Sequence, residues 1–297
     1  MPRLTLGPLF FHWPAEQKRE FYFRVADMPE FATVYLGETI CSKRIPFFER
    51  ELPAIRERLE ATGKTVVLST LSEVTVPLDR RAVRDVCEAA GCEIEVNDAA
   101  ALWTLGERPF RIGQFFNCYN EESLRYLVGR GATHVSLLPE LPHASIAKMT
   151  ETAAELGIGI EVQVFGRVTL ALSARCYHAR AHGRTKDNCQ FVCERDPDGL
   201  DLRTVEGGNF LAINGIQTLS HTYQNLSREI GDLKAMGVTD FRLSPHSCDM
   251  GAVARVFAGL LDGSSDAAEA DSQLGNLLPA AVFANGFHHS QPGYLRV

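Results

Sequence analysis

The chain has 297 residues, 45% of them hydrophobic and 23% charged, and its 30 basic and 37 acidic side chains leave a formal net charge of −7. This is an ordinary globular composition, long enough to bury a core without disulfide or metal staples. The acidic balance speaks against a nonspecific nucleic-acid binder, and no apolar run approaches the roughly 18–20 residues of a membrane span.

The opening MPRLTLGPLFFHWP is broken by Pro8, His12 and Pro14 and carries no cleavage pattern, which reads as a cytosolic protein. The first predicted strand is Thr33–Leu36. A helical stripe follows in PFFERELPAIRERLEATGK, where Phe48, Leu52, Ile55 and Leu59 recur at helical spacing and Gly63 stops the run. Strand Thr65–Ser69 leads to a helix from Pro77 to Gly91 built on Val83 and Val86. Strands Glu93–Val96 and Arg111–Phe116, a helix on Leu124, Leu127 and Val128, and strands His134–Leu138 and Ile160–Phe165 come next. The last are strand Phe210–Ile213, a helix over LSHTYQNLSREIGDLKAMG on Leu226, Ile230 and Leu233, and strand Asp240–Leu243.

Strands alternating with helices predict an α/β protein with a parallel sheet. Eight predicted strands suit a (β/α)8 TIM-like barrel, with a doubly wound open sheet as the alternative. Polar residues follow the strands, where barrel enzymes place their sites: Glu38 and Cys41, Ser69 and Thr70, Asn97 and Asp98, Asn117 and Cys118, Glu140, Arg167, Asn214 and Ser244. A pocket near Glu38, Asn97, Asn117, Glu140 and Arg167, taking a small carboxylate or aromatic compound, is the expectation from strand-end position alone. The barrel domain is expected over 1–261 and includes a cysteine-rich excursion over 174–209, where DPDG (Asp196 to Gly199) marks a tight turn. Residues 262–275, small and acidic, read as a flexible linker. The remainder, 276–297, reads as a tail packing on the barrel.

Eight cysteines in a reducing compartment point to metal binding or catalysis rather than disulfides. Cys176, Cys189 and Cys193 are spaced Cys-x12-Cys-x3-Cys, so three thiols can converge if the loop folds back. A fourth ligand must come from elsewhere, with Cys41, Cys118 and Cys248 as loop candidates; Cys87 lies on a predicted helix and Cys92 opens a strand. Arg167, Arg175, Arg180, Arg184, Lys186 and Arg195 surround the triplet, while Lys43 and Arg44 follow Cys41, and positive charge favours thiolates. Spacing alone leaves an iron–sulfur cluster, a zinc site and a metal-free loop open.

Other signals are weaker. His178 and His182 sit four apart in HARAH but lack the Glu of H-E-x-x-H, and read as exposed histidines in a basic loop. His288 and His289 read as surface residues, and Trp13 and Trp103 as core. The GIGIEV run at Gly157 lies at a helix end before a strand, the wrong order for dinucleotide binding, and neither a G-x-S-x-G elbow nor a P-loop occurs.

EVQVFGRVTLALSARCYHAR (Glu161 to Arg180) resembles the signature of the collagenase-like peptidase family, in which a strand, a Gly and an apolar run lead to S-x-R-C. VYLGETICSKR (Val34 to Arg44), KTVVLSTL (Lys64 to Leu71), NCYN (Asn117 to Asn120), INGIQT (Ile213 to Thr218) and VTDFRLSP (Val238 to Pro245) extend the resemblance. It runs from Leu6 to the tail and is closer to members serving oxygen-independent ubiquinone biosynthesis. It implies a [4Fe–4S] cluster on Cys41, Cys176, Cys189 and Cys193, and a heterodimer with a UbiU-like partner. It also implies a part in hydroxylating the aromatic ring of ubiquinone precursors without O2. Residues 262–275 depart from the family pattern in length and acidity. The family name implies proteolysis, but the sequence holds no protease constellation. Related members modify RNA, which the net charge disfavours here.

Overall fold

Alternating side chains make two different faces of each short strand. In the computed structural model, which describes residues 2–89 and 91–297, that alternation separates an apolar layer from a charged interior. In chain order the elements begin with β1 (Arg3–Leu6), α1 (Ala15–Ala26), β2 (Phe31–Leu36), α2 (Leu52–Ala61), β3 (Thr65–Ser69) and α3 (Pro77–Glu88). There follow β4 (Glu93–Val96), α4 (Ala99–Leu105), β5 (Phe110–Ile112), α5 (Glu121–Gly129), β6 (Ala132–Ser136), α6 (His143–Leu156) and β7 (Gly159–Leu172). The excursion carries α7 (Tyr177–Ala181) and β8 (Leu200–Arg203), and β9 (Asn209–Asn214) and β10 (Gln217–Asn225) complete a meander. The chain ends with α8 (Ile230–Met236), β11 (Asp240–Leu243), α9 (Met250–Asp262), α10 (Ala267–Leu277) and β12 (Phe283–Ala284).

Strands β1 to β7 pair in sequence, and β11 closes the ring by pairing parallel with both β7 and β1. The result is a closed eight-stranded parallel barrel with alternating helices, a (β/α)8 TIM barrel. Leu4, Leu6, Val34, Leu36, Ile94, Val96, Ile160, Val162, Phe241 and Leu243 belong to one buried apolar cluster with the helix residues Tyr22, Ile55, Leu59, Val83, Leu124 and Phe257. The intervening residues meet across the barrel. Arg242 Nη2 lies 2.6 Å from Glu95 Oε1 and 2.5 Å from Glu161 Oε2. Thr5 Oγ1 donates to Glu161 Oε1 at 2.6 Å and Ser69 Oγ to Glu95 Oε2 at 2.7 Å. The Arg242 guanidinium also sits 4.1 Å from the centre of the Tyr35 ring. The interior is therefore a paired polar network, with the apolar layer outside it.

β7 runs past the barrel rim. At Gly166, with φ +114, it turns to pair antiparallel with β10, and β9 and β8 continue that small sheet. A Cβ at Gly166 would stand 2.7 Å from the Ser244 Cβ, so this bend requires glycine. The Gly of the strand–Gly–apolar signature thus has a mechanical reason. It lets one strand leave the barrel and deliver Ser173–Cys176 above it.

Several expectations need correction. The eighth barrel strand is Arg3–Leu6, masked in sequence by the prolines after it, whereas Phe210–Ile213 lies in the antiparallel meander. Arg111–Phe116 splits into a three-residue strand and a 3-10 turn over Gln114–Phe116. Residues 219–225 form β10, so the helix expected over 219–237 begins only at Ile230. Residues 262–275, read as a linker, hold most of α10: the Asp266 carboxylate caps the N–H groups of Ala268 and Glu269, and Ala270 and Leu274 are buried. The tail beyond it pairs β12 with β10, and its His288 carbonyl accepts the His143 N–H at the start of α6. Trp13 is buried, but Trp103 on α4 is 91% exposed, and His288 is buried rather than superficial. The helix expected to reach Gly91 ends at Glu88; Ala90, which that expectation included, lies outside the described residues, as does Met1. Among the described residues no helix is long and apolar enough to cross a membrane.

Candidate metal centre

The loop after β2 is shaped by one carboxylate. Glu38 Oε1 accepts the backbone N–H bonds of Ile40 and Cys41, both at 3.0 Å, which folds the loop back and presents Cys41 at the start of a 3-10 turn over Ser42–Phe47. Ser42 Oγ donates to Asp79 Oδ1 at 2.5 Å, and Asp79 Oδ2 also accepts from the N–H groups of Thr75 and Val76, so the loop is pinned to the start of α3.

The other three cysteines come from the excursion. Cys176 follows the overshooting end of β7 and caps α7, its Sγ accepting from the Ala179 N–H at 3.3 Å and lying 3.1 Å from the Gly215 carbonyl. Cys193 sits in a 3-10 turn over Val192–Arg195, and Phe191 enters that turn with φ +52. Cys41, Cys176, Cys189 and Cys193 line one cavity with about 350 Å³ of space between its walls, its mouth included. All four are free thiols. Cys87, Cys92, Cys118 and Cys248 do not line it. Burial pushes the thiols of Cys87 and Cys118 up to about 11 and that of Cys248 up to about 12.

Arg44 ties the segments together. It is 3% exposed; its Nη1 donates to the Phe10 carbonyl at 3.0 Å and its Nη2 to Asn214 Oδ1 at 2.6 Å. Asn214 Nδ2 in turn donates to the carbonyls of Cys193 and Asp196 at 3.2 and 3.0 Å. Lys43 Nζ donates to the Lys186 and Asp187 carbonyls at 2.8 and 3.2 Å, a second strap between the Cys41 loop and the excursion. The hairpin between β9 and β10 turns on Gly215 at φ +65, and a Cβ there would stand 2.5 Å from Arg44 Nη2. Glycine is needed twice over at this position, by the turn and by the guanidinium.

Burial pushes the Cys41 thiol up, with Arg44 pulling it back, and burial likewise raises Cys176 against the pull of the Ala179 N–H. Desolvation thus outweighs the nearby cations for these two free thiols. A metal would have to displace their protons, and its retention would weaken as pH falls. Burial also works against the Arg44 charge, but Cys193, Glu38 and Cys41 hold it firmly protonated.

The donor set fits a four-thiolate group. Four thiols from two separate chain segments face one cavity, whose basic lining is Lys43, Arg44 and Lys186. Buried thiolates need such compensation. His178 also lines this cavity, with its ring nitrogens turned to the Ile213 carbonyl and to Asp196.

Sequence reasoning erred on the histidines. His178 is fully buried and His182 half-buried, and both converge on Asp196 from the DPDG turn. The expected substrate pocket also disperses. Asn117 and Glu140 share a cavity with Tyr119, whose hydroxyl bonds to Glu140. Glu38 lines another cavity, beside Lys18 and Arg44. Asn97 is buried against Thr70 and Glu95, and Arg167 is buried against the Ser220 carbonyl and Asp201.

Among solved structures, the chain is similar to a truncated 3-deoxy-D-arabino-heptulosonate 7-phosphate synthase from Thermotoga maritima (14% identity, TM-score 0.44, covering 94% of this chain and 88% of that one). It is also similar to a protein from Clostridium thermocellum that binds two copies of 5-methyl-5,6,7,8-tetrahydrofolic acid (7% identity, TM-score 0.43, covering 92% and 95%). At these identities and scores neither bears on activity. The sequence matches Peptidase family U32 over residues 15–294, in keeping with the S-x-R-C signature at Cys176. The chain belongs to peptidase family U32.

Proposed function

We propose that the chain is a UbiV-like iron–sulfur subunit that, with a UbiU-like protein as partner, serves O2-independent hydroxylation of the aromatic ring of ubiquinone precursors in the cytoplasm. The observation that carries this reading is the convergence of Cys41, Cys176, Cys189 and Cys193 on one cation-flanked cavity. In this reading those four residues hold a [4Fe–4S] cluster. Such a cluster supplies electron transfer, or simply orders the loop that binds it.

The chain's own residues prepare the cavity. Arg44 and Asn214 clamp the loop bearing Cys41 to the turn bearing Cys193. The Ala179 N–H points at the Cys176 sulfur, and hydrogen bonds to sulfur tune the potential of a thiolate-bound cluster. Lys43 and Lys186 bring further positive charge to the cavity wall.

The family name suggests proteolysis, and a thiol peptidase needs an imidazole free to take a proton from its cysteine. The imidazole at this cavity is His178, whose Nδ1 faces the Ile213 carbonyl at 3.1 Å and whose Nε2 faces Asp196 at 3.0 Å. It is not aimed at a thiol.

The test is co-expression with the UbiU-like partner in anaerobic cells that depend on the pair, with the ring-hydroxylated quinone quantified. Cys176→Ser should abolish the product. Unchanged product would contradict the proposal, as would gelatin hydrolysis that survives the substitution.

A further inference from the structure

Three atoms beside the thiol cavity, His178 Nε2, His182 Nε2 and Asp196 Oδ2, are buried without hydrogen-bond partners, and these three residues each offer a ligand atom within 4.8 Å of the others. His178 and His182 are four apart, so α7 and the residue capping it present both rings on one side, stacked with centroids 5.4 Å apart. Asp196 arrives from the turn that follows Cys193. Its Oδ2 lies 3.0 Å from His178 Nε2 and 3.9 Å from His182 Nε2.

The tautomer of His178 follows from its other nitrogen. Nδ1 lies 3.1 Å from the Ile213 carbonyl oxygen, which can only accept, so Nδ1 carries the hydrogen. The neutral ring then leaves its Nε2 lone pair without a donor, beside a carboxylate oxygen 3.0 Å away. Two acceptors at that distance need a cation between or beside them. A metal ion uses the neutral ring as it stands, and a backbone carbonyl on the remote nitrogen is the usual support of a metal-bound histidine. Asp196 is supported too, its carbonyl holding Asn214 Nδ2 at 3.0 Å.

We infer that His178, His182 and Asp196 form a second metal site, separate from the four thiols, that binds a divalent transition-metal ion through two imidazoles and one carboxylate. Ligand atoms around a zinc-sized ion stand roughly 3–3.4 Å apart given bonds of about 2.0–2.1 Å. The 3.0 Å edge already matches, and the 3.9 Å edge closes with a small turn of the half-buried His182 ring. Three protein ligands leave a position for water or a small ligand, the pattern of catalytic zinc and non-haem iron(II) sites. The site does not depend on what the thiols hold.

The test is zinc uptake by the full chain, purified without oxygen, measured by equilibrium dialysis against Zn2+ with metal analysis and X-ray absorption at the zinc edge. The wild-type chain should take up about one zinc with nitrogen and oxygen neighbours only. His182→Ala, at a half-buried position, and the isosteric Asp196→Asn should each weaken that uptake by about 100-fold or more, since even supporting residues of metal sites cost 10–100-fold. Cys189→Ser should leave it in place while removing iron, which separates this site from the cluster. Zinc with sulfur neighbours, zinc lost in Cys189→Ser but kept in the other two variants, or no zinc uptake would each overturn the inference.

Discussion

Inside the barrel, Arg242 meets Glu95 and Glu161, and Thr5 and Ser69 satisfy the remaining carboxylate oxygens. At the cysteine cavity, Arg44 meets the Phe10 carbonyl, Asn214 and, at 3.8 Å, the Glu38 carboxylate, while Lys43 donates to two backbone carbonyls and Lys186 lies 4.0 Å from Glu73. Both regions are buried and charged. In the first, two carboxylates meet one guanidinium, whereas in the second burial pushes the Cys41 and Cys176 thiols up and a carboxylate lies beside two imidazole nitrogens. Ion-paired networks of this kind rigidify a fold, and clustered metal-ligating side chains mark a place where something else binds. Burial pushes Lys18 down to about 8, with Glu38 opposing and Arg44 adding to the effect.

The contrast is broken most sharply by removing each arginine. Arg242→Met leaves Glu95 and Glu161 buried without their cation and should cost about 3–5 kcal/mol in urea unfolding, whether or not metal is bound. Arg44→Met should cost the metal-free chain about 1–3 kcal/mol, from the acceptors it leaves unsatisfied. The iron-loaded chain should suffer more, because Arg44 then faces thiolates. Equal penalties for Arg44→Met with and without iron would contradict the account.

Burial of His12, with Arg44 and Lys18 nearby, also sets a pH dependence. Burial, Arg44 and Lys18 together push His12 down from 6.5 to about 3. Its folded value lies below its unfolded one, so the unfolded chain binds the proton more readily between them. Stability from a neutral His12 is complete above about 6.5 and is lost as pH falls towards about 3. In the metal-free chain, His12→Asn should flatten the fall of stability across that window, and an unchanged slope would count against a buried, neutral His12.

The smallest effect concerns the hairpin. Gly215→Ala places a methyl group against Arg44 at φ +65 and should destabilise by about 1–2 kcal/mol plus the displacement of Arg44. Gly63→Ala, at φ +81 with open space around it, should cost only the backbone part. Equal costs measured by urea unfolding would mean that the Gly215 contact is not felt.

Much of the barrel was legible in the residues because β2, β3, β4 and β11 are short β-branched or apolar runs between helix signals. β1 was hidden by Pro8 and Pro14, which end the strand but also make the segment look like a loop. β10 was misread because Leu226, Ile230 and Leu233 have helical spacing, although only Ile230 and Leu233 lie in α8. The interior network was invisible: Glu95, Glu161 and Arg242 look like exposed charges until barrel closure brings them together. The cysteine triplet announced itself by spacing, and Cys41 by the resemblance, but the clamp through Asn214 needs a contact across 170 residues. His178 and His182 gave the right spacing for a metal helix. Their third partner, Asp196, sat in plain view in the DPDG turn and was read only as a turn former.

The most direct measurement is the iron, sulfide and zinc content of the chain purified without oxygen, together with its visible absorption. The account predicts brown protein with about four iron and four sulfide per chain, falling towards none in Cys41→Ser, Cys176→Ser, Cys189→Ser or Cys193→Ser. Colourless protein without iron, holding about one zinc that Cys189→Ser removes, would contradict it.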